Sequence, residues 1–133
     1  MAARGSSAYV VDEFDKAVTR VVQGLTLDIT ADLQETTPVD TGWARANWIP
    51  NIGGKFSDSP VGERIRGKID VATQQTAIAK IATQFRVGPP IHITNNVPYI
   101  KKLNEGSSKK APAGYVDAVI EQNVKKYGGR KIR

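Results

Sequence analysis

Residues 37–48, TPVDTGWARANW, mark the point where the chain leaves one long helix and reverses direction. Pro38 disfavours the helical conformation for Thr37, so a helix that precedes it has to stop there. Asp40 and Gly42 supply turn chemistry, because an Asp side chain accepts backbone N–H bonds and Gly tolerates a positive φ. The stretch therefore predicts a helix end followed by a turn.

Upstream of this turn, residues 8–36 predict a single amphipathic helix. Apolar residues recur at steps of 3 and 4 with a mean period of about 3.67, so they stay on one face over many turns. They are Val11, Phe14, Val18, Val22, Leu25, Ile29 and Leu33. At about 1.5 Å per residue the helix is roughly 40 Å long, more than a small domain needs to cover its own core. Gly24 predicts a bend or a close backbone approach. Leu27 lies off this face, so it is either an ordinary exposed Leu or a partner contact.

Downstream of the turn, alternation of period two predicts strands. Residues 44–52 predict a strand with Trp48 on its buried face, and Pro50 restricts that strand to an edge or a bulge. We expect a mobile loop over 53–62 and a second strand over 65–71, which would pair with the first as a long-looped hairpin. A short helix is predicted over 73–84 and a further strand over 91–94.

The last third of the chain is rich in turn residues. The strand over 91–94 ends at Asn95-Asn96, and a helical turn from Pro98 to Leu103 is closed by Gly106 at a position that suits glycine. Pro112 suits the first turn of a final helix, which Gly128-Gly129 ends. The sequence thus predicts an α+β fold, in which a long N-terminal helix packs on a small antiparallel sheet of 3–4 strands, with a short middle helix and a C-terminal helix.

Composition is that of a single globular domain spanning 1–133, with a flexible N-terminus over 1–7 and a basic C-terminal tail over 128–133. Of 133 residues, 40% are hydrophobic and 24% charged. The absence of cysteine excludes disulfides and Cys-based metal sites, and it fits assembly in a reducing cytoplasm. No apolar run approaches the roughly 20 residues that cross a bilayer, and the first residues lack a signal-peptide core. We expect a soluble intracellular product with no membrane partner.

The net charge of +6 is unevenly distributed. The last nine residues hold five positive charges and no acid, and a second cluster comprises Lys101, Lys102, Lys109 and Lys110. Basic ends of this kind bind phosphates by releasing counterions. The candidate DNA contacts are Lys125, Lys126, Arg130, Lys131 and Arg133. The alternative is a solvated, frayed tail, because stacking aromatics are not interleaved with the charges.

No catalytic constellation is recognisable. The lone His92 lies on the polar face of a predicted strand, without a nucleophile motif beside it. Asp28, Asp32 and Glu35 follow one edge of the long helix, and carboxylates so placed could serve glycoside hydrolysis or bind a divalent cation. Acid catalysis needs a desolvated carboxyl, whereas this edge is predicted to be solvated or to form salt bridges between subunits. We expect no enzyme activity, no metal and no cofactor.

Two tryptophans flank an arginine, which is a common way to anchor an interface. Trp48 as a core residue with Trp43 covering its edge is an equally good interpretation. Glu105 stands among lysines and could neutralise them locally or bridge to Arg45 of another subunit. The interface candidates are Leu27, Trp43, Arg45, Trp48, Tyr99 and Glu105.

Together, two elements of the sequence resemble a family of bacteriophage neck and tail-completion proteins, the small head–tail joining components of long-tailed phages. The first is Thr37–Trp48, with Arg45 and Trp48 in the family's register. The second comprises Ile91–Tyr99, Leu103–Gly106 and the helix start Ala111–Gly114. They cover about a third of the chain. One departure is Asn104 before Glu105, where the family more often has Leu-Glu-x-Gly.

The resemblance implies a non-enzymatic virion protein that is assembled in the host cytoplasm and forms a ring at the neck or tail end, with six copies expected. Its implied partners are itself, other neck, connector and tail proteins, and genome DNA in the channel without sequence preference. The resemblance does not distinguish between tail-completion, tail-terminator and neck roles. Two rival functions follow from the residues: a small basic DNA-binding module and, less well supported, a carboxylate hydrolase using Asp28, Asp32 or Glu35.

Overall fold

The fold combines five helices with a two-stranded antiparallel sheet in the residues described by a computed structural model, namely 7–38, 42–60, 71–106 and 113–128. The elements follow one another as α1 (Ser7–Thr36), α2 (Trp43–Ala46), β1 (Ile49–Ile52), α3 (Ala72–Gln84), β2 (Ile91–Thr94), α4 (Ile100–Asn104) and α5 (Tyr115–Gly128). The predicted fold class is thereby confirmed at the level of a long N-terminal helix with a small antiparallel sheet.

Helix α1 matches the helix predicted from the apolar period, but only part of its apolar face is covered. Leu33 is 2% exposed and Ile29 is 9% exposed, whereas Val11 and Phe14 are each 58% exposed. All four belong to the same face of one continuous helix. Burial along α1 therefore begins at Ala17, which is 4% exposed, whereas Val11 and Phe14 before it lie outside the buried core.

The sheet pairs β1 with β2 in antiparallel register, from Ile49 opposite Thr94 to Ile52 opposite Ile91. Pro50 is tolerated because a strand of a two-stranded sheet needs ladder hydrogen bonds on one side only. The sequence predicted 3–4 strands, whereas the described residues contain two. The strand predicted over 65–71 lies almost wholly outside the described residues, and its pairing with β1 stays a prediction.

The strand predicted over 44–52 is wrong in its first half. Residues Trp43–Ala46 form the short helix α2, and strand structure begins only at Ile49. Gly42 has φ 81°, and its carbonyl accepts the Ala46 N–H at 3.0 Å, which closes a helical turn. A stretch as short as Trp43–Ala46, in which Ala alternates with larger residues, fits one turn of helix as well as a short strand, so the tertiary packing of the buried Ala44 and Ala46 decides between them.

The core lies where α1, α5 and β1 meet. Ile29, Leu33, Trp48 and Val119 form a buried apolar cluster. Leu25, Ile93, Ile100 and Val116 pack against it. Burying side chains of this size contributes about 1.5–3 kcal/mol each. Helix α5 runs antiparallel to α1, and α3 packs against β1 and α1.

The predicted turns around α4 and α5 are present, with a later helix start. Gly106 has φ 95°, which suits glycine after a helix end. Helix α5 begins at Tyr115, because Gly114 has φ 77° and cannot belong to a right-handed helix. Pro112, predicted to lie in the first turn, lies outside the described residues. Asn104 Oδ1 accepts the Val116 N–H at 3.0 Å, so Asn104 satisfies one of the free amides at the start of α5.

Candidate assembly surface and its supporting junction

Thr37 belongs to the first of the two sequence signatures, residues 37–48, and lies at the centre of a buried junction between α1, Trp48 and α5. It is fully buried, and its Oγ1 accepts the Trp48 Nε1–H at 2.7 Å while donating to the Leu33 carbonyl at 2.6 Å. The Tyr115 hydroxyl lies 3.5 Å from the same oxygen. One threonine hydroxyl therefore ties the end of α1 to the residue before β1 and to the start of α5.

Arg45 caps the carboxyl end of α1. Its guanidinium donates to the Thr37 carbonyl at 3.0 Å and 3.3 Å, and to the Glu35 carbonyl at 3.1 Å. These carbonyls belong to the set that a helix end leaves without partners, and a positive charge there also favours the helix dipole. Arg45 thus has a structural role within its own chain, and a bridge to Glu105 of another subunit stays a prediction.

The tryptophan pair divides between core and surface. Trp48 is 6% exposed and belongs to the core cluster, which is the core alternative considered for it from sequence. Trp43 is half-buried, and its ring lies 6.1 Å from that of Tyr99, tilted by 53°. Asn95 Nδ2 donates to the Ala44 carbonyl at 2.9 Å beside them. The structure therefore brings the first signature into contact with the second, which comprises residues 91–99, 103–106 and 111–114, although about fifty residues separate the contacting side chains.

The turn residues of the second signature have backbone roles. Asn95 Oδ1 accepts the Val97 N–H at 3.1 Å, and Asn96 Nδ2 donates to the carbonyls of Phe56 and Asp58 at 2.9 Å each. The second pair of bonds anchors the described part of the loop over 53–62, whose mobility stays a prediction. Pro98 is exposed in the turn before α4, and Asp40 lies outside the described residues.

Asp28 and Asp32 of α1, predicted to lie on an edge that is solvated or forms salt bridges between subunits, are bound within the chain. Asp28 Oδ2 accepts from the Tyr127 hydroxyl at 2.6 Å and from Lys126 Nζ at 3.0 Å. Asp32 Oδ2 accepts from Asn123 Nδ2 at 2.9 Å. Their hydrogen-bond partners lie on α5, which runs alongside this edge. The sequence pattern of α1 gives no sign of this neighbouring helix. Glu35 is exposed.

The candidate DNA contacts on α5 form ion pairs. Lys125 pairs with Glu121 at 3.2 Å and Lys126 with Asp28 at 3.0 Å. Arg130, Lys131 and Arg133 lie outside the described residues. Lys101 and Lys102 of α4 are exposed, as is Glu105 just after them, whereas Leu27 is half-buried.

Tyr115 and Lys16 are ionisable side chains of the described residues that have shifted pKa values. Burial raises the pKa of the Tyr115 phenol above its ordinary value, and the contact with Thr37 opposes that shift. The exposed Lys16 has a raised pKa chiefly because it donates a hydrogen bond to Asp12, with Glu13 adding to the effect. Neither side chain faces a cluster suited to proton transfer in the described residues.

A cleft between β1 and α3 is the clearest concavity that we find in the described residues. Its volume is about 470 Å³. Its lining includes Ile49, Ile52, Phe56, Thr76, Ala77 and Ile81. Lys80 lies at the same cleft and is the charged side chain among its described lining residues. A volume of this size is within the range of clefts that hold a ligand or a partner's side chains.

Sequence reasoning missed Gln74, which is 1% exposed on α3. Its Nε2 donates to the Trp48 carbonyl at 2.8 Å, whereas its Oε1 has no hydrogen-bond partner among the described residues. Gln74 therefore fixes the backbone at Trp48, between α2 and β1. The one available signal was a glutamine on the inward face of an otherwise small-residue helix, which does not identify its partner.

No family model, no curated protein and no solved structure matches the chain. Within the described ranges, no group of three or more His, Asp or Glu side chains is placed to hold a metal ion. None of the helices in those ranges is long and apolar enough to cross a membrane.

Proposed function

We propose that this protein is a structural, non-enzymatic virion component that joins or completes the tail at the head–tail interface of a long-tailed bacteriophage. It acts as a subunit of a homo-oligomeric ring, with six copies expected. The proposal rests on the resemblance of its two signatures to neck and tail-completion proteins. The roles of those signatures in the structure are compatible with it, because Thr37, Arg45, Trp48 and Asn95 hold elements together.

The structural observation that supports the proposed self-assembly is the uneven burial of α1. Val11 and Phe14 are 58% exposed on the same helical face that buries Leu33 to 2%. Exposed apolar side chains in a row on a rigid helix favour a protein contact, because burying them releases water at little cost in backbone entropy. A neighbouring subunit would cover this face, and closed cyclic symmetry would repeat the contact without forming an open fibre.

The role in joining is tested in the phage that encodes the protein. Without the gene, we expect filled heads and tails that lack only this protein to accumulate separately, and purified protein added to that lysate should join them into infectious particles. Tails that join heads normally without the gene would contradict the proposal. A lysate that lacks tails altogether would place the protein earlier in tail assembly and would likewise contradict it.

A basic DNA-binding module is the second candidate, favoured by the exposed Lys101 and Lys102 on α4. It predicts that the monomer binds duplex DNA and loses it as salt rises, because counterion release drives such binding. Replacing both lysines by alanine should then weaken DNA binding severalfold. The ring proposal instead predicts that the same double variant assembles like the unmodified chain.

A further inference from the structure

The exposed start of α1 has the pattern of a helix that inserts into a groove. Val11, Phe14 and Val18 lie at positions i, i+3 and i+7, which place three apolar side chains along one face. Val11 and Phe14 are more than half exposed, and Val18 is half-buried where the helix meets its own domain. The three side chains together form the apolar start of α1.

The cleft between β1 and α3 has complementary properties. It is concave, about 470 Å³ in volume, and lined by apolar side chains from a strand and a helix, among them Ile49, Ile52 and Ile81. Thr76 and Ala77 are small, so they leave room for a large side chain such as Phe14. Phe56 is a further apolar side chain of the lining.

Charge favours the same pairing. Asp12, Glu13 and Asp15 surround the apolar start of α1, whereas the nearby Lys16 forms ion pairs with Asp12 at 3.1 Å and with Glu13 at 3.6 Å. This end of the helix therefore carries more acid than base, and Lys80 lines the cleft. Exposed charges contribute little to affinity, but they set the orientation and rate of association.

The geometry of α1 directs this contact to another molecule. Gln23 Nε2 donates to the carbonyls of Ile81 and Ala82, which fixes α1 against the end of α3. Phe14 lies nine residues before Gln23 on the same continuous helix, so it is held roughly 14 Å farther along the axis. Because the helix does not fold back, its apolar start is presented outward.

We propose that the apolar start of α1 in one copy docks in the β1–α3 cleft of a second copy. The inference rests on the proposed self-assembly and names the two surfaces that make the contact. Since they differ, the interface is head-to-tail, the type that generates a ring when its rotation closes. Each subunit gives one helix and receives one.

Disulfide cross-linking tests this contact directly, because the chain has no cysteine. A chain carrying Val11→Cys, which keeps Phe14, is mixed with a chain of different mass carrying Thr76→Cys, and the mixture is oxidised mildly. We expect a cross-linked dimer containing one chain of each mass, and little product from either chain alone. The matched control replaces Thr76→Cys by Val124→Cys, because Val124 is also exposed, at 52%, but lies on α5.

The outcomes separate the interface from the proposed function. If the chain forms a ring but cross-links as well to Val124→Cys as to Thr76→Cys, the interface is wrong and the ring remains. If Val11→Cys cross-links to itself, the start of α1 pairs symmetrically, which overturns the head-to-tail contact. A chain that stays monomeric at every concentration, with and without phage tails, contradicts both. A cleft that is occupied by another segment of its own chain contradicts the interface alone.

A charge exchange gives an independent test. Asp15→Lys and Lys80→Asp should each weaken self-association about threefold to tenfold, because each places like charges together at the contact. The two changes in one chain should restore most of the loss, since the pair is re-formed in reverse. Additive losses in the combined variant would overturn the proposed orientation.

Discussion

At the scale of single residues, Thr37 shows how much structure one hydroxyl can determine. A threonine hydroxyl donates one hydrogen bond and accepts others, and Thr37 uses both abilities in a site closed to water. As an acceptor, the Thr37 hydroxyl binds the Trp48 indole N–H, which would otherwise lie in the apolar core without a hydrogen bond. The junction between α1, β1 and α5 therefore depends on a polar group that composition alone would place at the surface.

Replacing Thr37 by valine should destabilise the protein although the shape is conserved. The buried Trp48 N–H would lose its acceptor, at a cost of about 1–3 kcal/mol in the free energy of unfolding. Urea denaturation followed by tryptophan fluorescence measures this. Thr36→Val is the matched control, because the Thr36 hydroxyl makes a similar bond to the Asp32 carbonyl at 2.7 Å but is exposed. Equal losses in the two variants would contradict the role of Thr37.

Ionisation of the buried Tyr115 phenol should destabilise the fold at high pH. Burial raises its folded pKa above the unfolded value of about 10, so the folded state favours the neutral phenol. The resulting stability is present below that unfolded value and is lost as the pH rises through the folded value. We expect the difference in unfolding free energy between pH 9 and pH 11 to be smaller in Tyr115→Phe. An unchanged difference would exclude Tyr115 as a cause.

Residues with a local mechanism were predictable, and residues with a distant partner were not. Gly42 and Gly106 adopt the positive φ that turn chemistry requires, and Pro38 ends α1 as expected. Gln74 and Asn104 act through hydrogen bonds to backbone 26 and 12 residues away. No local pattern encodes such a partner, because it depends on how the elements pack.

At the scale of elements, the seam between α1 and α5 is held by polar side chains as well as by the core. Asp28 and Asp32 on α1 bind Tyr127 and Asn123 on α5. Gly24 lies opposite the same tyrosine, and a Cβ there would lie 2.8 Å from the Tyr127 hydroxyl oxygen. The close backbone approach predicted for Gly24 is therefore present.

Gly24→Ala should lower the free energy of unfolding. Alanine ordinarily stabilises a helix interior by about 1 kcal/mol relative to glycine, but here its Cβ would displace the hydroxyl that binds Asp28. In a Tyr127→Phe background the displaced atom is absent, so the same change should be less harmful or stabilising. Thermal unfolding of the four chains of this double-mutant cycle measures the coupling. A stabilising Gly24→Ala in the unmodified chain would contradict the close approach.

The long periodic helices could be predicted, whereas the short helix α2 could not. Helices α1 and α3 follow from their apolar period, and β2 lies where the sequence places it. Helix α2 has four residues, and Ala44 and Ala46 fit a turn of helix and a strand equally. The partner of Asp28 was also missed, because the sequence of α1 gives no information on the helix beside it.

At the scale of the whole molecule, the property that matters most for the proposed function is that the described residues cover only part of the apolar face of α1, and Val11 and Phe14 remain 58% exposed. The sequence predicts the long helix from its apolar repeat. It could not predict which surface would receive the exposed end, since the β1–α3 cleft forms only when residues 49–56 and 72–84 pack together. In the proposed function, a neighbouring subunit covers the part of the apolar face of α1 that the described residues leave exposed.

The most direct test of the account is the molar mass of the purified protein in solution, measured by light scattering over a range of concentrations. We predict a discrete assembly near six times the 14.4 kDa of one chain, or a 14.4 kDa monomer that assembles when phage tails are added. Phe14→Ser should abolish either form of assembly, whereas Val124→Ser, at a comparably exposed position, should not. A mass of 14.4 kDa under all these conditions would contradict the account.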